Sequence, residues 1–168
     1  MRFMLPLVLF VSFSLLVKDG LLAEDYLTKD GKLAQQLKVN QLQGGFAGYT
    51  GMQFTIAPDG TWTSETVFNR KITPKDKGKL SDKELAKLGA LLGKYDLVKL
   101  PAEAGKKPGA NPHTITIEFG KKKASLVGQT PPQLDSKDPA GTVESRFAGI
   151  TDGVTGMLMP PPKEEKKN

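Results

Sequence analysis

"MQFTIAPDGTWTSETVF", residues 52 to 68, decides the fold class. Met52, Phe54 and Ile56 alternate with Gln53 and Thr55, the period of two that puts one face of a strand on a core and the other toward water. Pro58-Asp59-Gly60 then breaks the pattern with turn chemistry: proline presets φ, and glycine accepts the left-handed position that closes a hairpin. The return segment, Thr61 to Phe68, is dense in β-branched and aromatic residues and sets Trp62 and Phe68 on one face. Trp62 reads as packing on the sheet.

Working outward, "QLKVNQLQ" (36–43) predicts a strand before this hairpin, and Arg70 to Lys79 predicts an exposed connection after it. Ser81-Asp82-Lys83-Glu84 is a capping box, in which serine and glutamate each satisfy a backbone N–H that the first helical turn leaves unpaired. Leu85, Leu88, Leu91 and Leu92 follow at helical spacing, so a helix of about three turns runs on to Gly93 or Lys94. "YDLVKLP" (95–101) returns the chain to the core, and Glu103 to Pro112 reads as a loop. "HTITIEF" (113–119) and "KASLVG" (123–128), joined through Gly120, form a second hairpin. After Thr142, Val143, Phe147, Ile150, Val154 and Met157 recur at steps of four and three, marking a second helix. Gly149, Gly153 and Gly156 each lower its intrinsic propensity by roughly 1 kcal/mol relative to alanine, so this helix requires a packed apolar stripe. The expectation is one α+β domain over residues 36–159: an antiparallel sheet of about five strands with two helices on one face.

The ends read differently. Met1-Arg2, an uncharged apolar run from Phe3 to Val17 and a break at Lys18-Asp19-Gly20 predict a secretory signal over residues 1–23, cut after Ala23. The run is shorter than the roughly 20 residues a membrane-crossing helix needs, so contact with a membrane is expected only through an uncleaved signal. Residues 24–35 read as a polar lead-in and 160–168 as a disordered, proline- and lysine-rich tail. Localisation is expected to be periplasmic or extracellular. With no cysteine in the 168 residues, neither a disulfide nor a lipid-anchored cysteine is available, and packing alone holds the fold.

The charge of +6 comes almost wholly from scattered lysine; Arg2, Arg70 and Arg146 are the only arginines. That composition fits a solubilising, edge-protecting surface and gives no nucleic-acid signature, which leans on arginine and interleaved aromatics. Cysteine chemistry and any site needing two histidines are absent, because His113 is the one histidine. No metalloprotease helix, phosphate loop, dinucleotide fingerprint or calcium loop occurs, so no catalytic residue, metal or cofactor is assigned. Carboxylates paired by folding are the one enzymatic arrangement that sequence leaves open.

"GGFAG" (44–48), followed by Tyr49, is the remaining local motif. Its glycines release the backbone and let another surface approach closely. Phe46 has two readings here, a core plug at a strand end or an apolar anchor for a partner. GGFAG entering a strand, the Ser81-x-x-Glu84 helix, the "YDLVKLP" helix exit, a second hairpin and a final helix occur in an order that resembles the emfourin-like family over about residues 37–159. That family comprises inhibitors of thermolysin-like zinc metallopeptidases. The resemblance implies a non-enzymatic inhibitor that inserts a preorganised loop into the peptidase cleft, with Gly44, Gly45, Phe46, Ala47, Gly48 and Tyr49 as its partner-binding residues. The alternative is a cell-envelope binding or scaffold module on the same fold.

Overall fold

The computed structural model describes residues 26–106 and 109–159. The signal segment and the tail expected from sequence lie outside the described residues. Seven strands form one sheet: β1 (Leu37–Gly45), β2 (Gly48–Ile56), β3 (Thr61–Phe68), β4 (Lys71–Lys79), β5 (Glu103–Gly105), β6 (His113–Phe119) and β7 (Lys122–Gly128). Helix α1 (Asp82–Lys94) lies between β4 and β5, and α2 (Val143–Leu158) follows β7. The strand order is β4-β3-β2-β1-β6-β7-β5.

Two expectations are corrected. The sheet has seven strands where about five were expected, because Lys71–Lys79 and Glu103–Gly105 both pair. It is also mixed, since β5 runs parallel to β7 while every other pairing is antiparallel. The lysine-rich β4 carries little apolar alternation because it is the sheet edge, exposed along nearly its whole length. Opposite Ser64 and Glu65 the register shifts by one residue, leaving Lys75 unpaired as a bulge next to Pro74, which has no N–H to give the ladder.

The hairpin from Met52 to Phe68 forms with Ile56 opposite Trp62, and Trp62 lies half-buried over Gly78 of β4. Register then carries one apolar face across the sheet: Leu37 and Val39 of β1 align with Ile56 and Phe54 of β2, and with Phe119 and Ile117 of β6. Against that face pack Leu85, Leu88 and Leu92 of α1 and Phe147, Ile150, Val154 and Leu158 of α2, in one core. Each such side chain contributes roughly 1.5–3 kcal/mol relative to exposure. The lead-in is less polar than its composition implies. Tyr26 and Leu33 are fully buried, and the Tyr26 ring meets Phe119 edge-on at 5.7 Å while its hydroxyl accepts from the Val98 N–H.

Both helix starts follow their sequence signals. Ser81 Oγ accepts from the Glu84 N–H and the Glu84 carboxylate accepts from the Ser81 N–H, and Thr142 caps α2 through the Ser145 N–H. Ser81→Ala is expected to lower stability by about 1 kcal/mol, read as the shift of a urea midpoint. Hydrogen bonds from the Ser81 N–H and hydroxyl hold the Glu84 carboxyl below its ordinary range. A depressed folded pKa means stabilisation present above the ordinary glutamate range and lost as pH falls through the folded value. The stability gap between the parent and Glu84→Gln therefore narrows on acidification, and a gap that widens would contradict the cap.

Candidate functional site

The GGFAG motif is the turn of the β1–β2 hairpin. Gly45 and Gly48 form the last paired positions, leaving Phe46 and Ala47 as the two-residue tip. Gly48 takes φ +97°, in the left-handed region that a side chain rarely adopts, which lets so short a turn close. Phe46 is fully exposed and Ala47 is exposed beside it. The core-plug explanation of Phe46 does not hold in this geometry: no part of the ring reaches the interior.

The residues around the tip divide into support and surface. Gly44 is buried; its N–H donates to the Pro112 carbonyl at 2.7 Å, and an added Cβ would stand 2.7 Å from the Pro112 ring. Gly44 therefore acts beneath the site, holding β1 to the segment that leads into β6. Gly45 is exposed, and Tyr49 is 48% exposed on the sheet face away from the helices.

A second hairpin tip stands beside the first. Asn69 and Arg70 join β3 to β4 with φ of +44° and +68°, the paired positive values of a tight two-residue hairpin turn. The Asn69 N–H donates to the Tyr49 carbonyl at 2.7 Å, and the Asn69 amide oxygen lies where a Cβ on Gly48 would come within 2.6 Å. The two tips are thus locked side by side. Phe68 and Ile72, 59% and 52% exposed, flank the second turn. Sequence reasoning placed Arg70 in a connection and so missed this neighbour; Asn69 followed by a resumed Ile72-Thr73 alternation was the available signal.

Other chemistry is sparse. Among the described residues no three histidine, aspartate or glutamate side chains gather as a metal-binding group. Two hollows lie along β5 and β7; one includes Glu103 with Lys106 and Lys123, the other Glu144 with Lys106 and His113, a single carboxylate in each. His113 opens β6 opposite Gln43 and Gly128, half-buried. Asp59 is held below the ordinary carboxylate range, first by the Thr61 N–H and then by the Thr61 hydroxyl, as the clasp of the β2–β3 turn. Arg146 donates to the Tyr95 and Asp96 carbonyls at 2.8 and 2.6 Å and ties α2 to the end of α1. These are framework interactions.

A scan against protein-family models returned no match, and a search of curated proteins returned none either.

Proposed function

We propose that this chain is an exported, non-enzymatic binding protein that inserts its β1–β2 hairpin tip into the active-site cleft of a thermolysin-like zinc metallopeptidase and blocks it. One observation carries the mode of action: a large aromatic side chain, Phe46, stands fully in water at the apex of a turn only two residues long. A phenylalanine exposed this way gains nothing for folding, and burying it in a partner's pocket recovers about 1.5–3 kcal/mol of apolar transfer. The turn is already ordered by the strand ladder and by the Gly44 and Asn69 hydrogen bonds, so little further ordering opposes association. The choice of target rests on the resemblance of GGFAG and the element order to the emfourin-like family. No metal ligand is required of the chain, because filling the cleft is enough to exclude substrate.

The test is a titration of the purified chain against a panel of thermolysin-like peptidases with a peptide substrate. Inhibition saturating at one chain per enzyme, at micromolar concentration or below, is the expected result. A panel wholly unaffected at that concentration overturns the reading and returns the domain to an envelope binding role.

A further inference from the structure

The Phe46 tip is one part of a broader apolar end. Register puts Phe68 opposite Thr50, on the sheet face that carries the helices, whereas Tyr49 and Ile72 point from the opposite face. Exposed apolar groups therefore lie at the apex and on both flanks of the same sheet end. Such a wedge suits a cleft with two walls. Away from the tip, the sheet edge is cationic: Arg70 in the second turn is followed along β4 by Lys71, Lys75, Lys77 and Lys79, spread over both faces of that edge, with Asp76 as the one acid among them, and all are exposed.

We infer that the two locked hairpin tips form a single binding ledge, and that the β4 lysines meet an acidic wall of the partner's cleft. This rests on the peptidase-blocking reading and adds to it a second contact surface and the sign of charge it seeks. Strand addition does not explain the edge, because Pro74 and the bulge interrupt the ladder a new strand would need. Edge protection alone does not explain it either. It accounts for lysine along β4 but not for Phe68 and Ile72 left in water at its start, nor for Arg70 in the left-handed region, where a side chain costs stability. A lipid surface fits less well than a protein wall. At about 3.3 Å per residue the cations run roughly 25 Å back from the tip, so headgroups meeting the apex would reach Arg70 and Lys71 and leave the others behind.

The experiment measures association and dissociation of the full chain with an inhibited peptidase of the panel at low and physiological salt. Lys71→Glu/Lys75→Glu is compared with Lys29→Glu/Lys121→Glu, which makes the same change in net charge at exposed sites away from the tips. The ledge variant is expected to associate about 10-fold more slowly than this control at low salt, with the difference shrinking as salt rises. Arg70→Gly serves as a second variant: it should melt at a higher temperature than the parent and yet associate more slowly. Equal association for the two double variants overturns the ledge while leaving Phe46-led inhibition standing. Absence of inhibition by the parent overturns both. Vesicles with 30 mol% anionic phospholipid are the third arm; binding to them that depends on Lys71 and Lys75, with no such dependence for the peptidase, assigns the surface to lipid and also overturns the inference.

Discussion

Phe46→Ala should leave the melting transition of the chain unchanged and weaken inhibition of a thermolysin-like peptidase about 100-fold, equivalent to roughly 2.7 kcal/mol of binding. Both halves follow from position. The ring touches no core residue, so its removal opens no cavity, and the turn is closed by Gly48 and the Gly45–Gly48 pair. In the complex the ring would be the largest apolar group at the apex, where desolvated aromatic anchors dominate binding energy. The loss should appear mainly as faster dissociation, since the substitution changes no charge. Tyr49→Ala, at the wedge flank, should cost less. Parent-like inhibition by Phe46→Ala would remove the physical basis for tip insertion; a large fall in melting temperature would mean the ring is packed after all.

Two glycine-to-alanine substitutions in α2 should move stability in opposite directions. Alanine favours a helix over glycine by about 1 kcal/mol when nothing else intervenes. At Gly156 nothing lies within 4 Å of the position a Cβ would take, so Gly156→Ala should raise the melting temperature by a few degrees, taking about 2–4 °C per kcal/mol for a domain near this size. At Gly149 an added Cβ would fall 2.1 Å from the Tyr95 ring, inside van der Waals contact. Tyr95 has little freedom to withdraw. The residue is 3% exposed, its N–H donates to the Leu91 carbonyl, and its own carbonyl accepts from Arg146 Nε. Overpacking a site of this kind costs about 1–3 kcal/mol, so Gly149→Ala should lower the melting temperature by roughly 5 °C. Thermal unfolding of the two single variants checks the pair. An equal rise for both would mean α2 does not rest on Tyr95.

Much of this fold is written locally. The Met52–Phe68 hairpin, the Ser81–Glu84 capping box and the stripe from Val143 to Met157 each state their own conformation within a few residues, and each forms as its pattern implies. The misread segments lack a local signal of that kind. Beyond Ile72-Thr73, Lys71–Lys79 is polar on both faces and broken by Pro74, so its place beside β3 is what makes the rest of it a strand. Glu103–Gly105 is too short for periodicity and is strand only because β7 lies next to it. Tyr26 and Leu33 sit among polar neighbours, and their burial comes from partners far along the chain, Phe119 and Val98 for the tyrosine.

The same division runs through the candidate site. By itself the sequence determined that residues 44–48 are a glycine-rich stretch entering a strand, that this stretch carries a phenylalanine, and that the chain has no cysteine and one histidine with which to do chemistry. Whether Phe46 faces water or the core depends on the pairing of Gly45 with Gly48, and its neighbours Phe68, Arg70 and Ile72 arrive only when β2 and β3 bring the second turn alongside. Turn chemistry is a property of adjacent residues, whereas exposure and juxtaposition are properties of strand register, which a single segment does not contain.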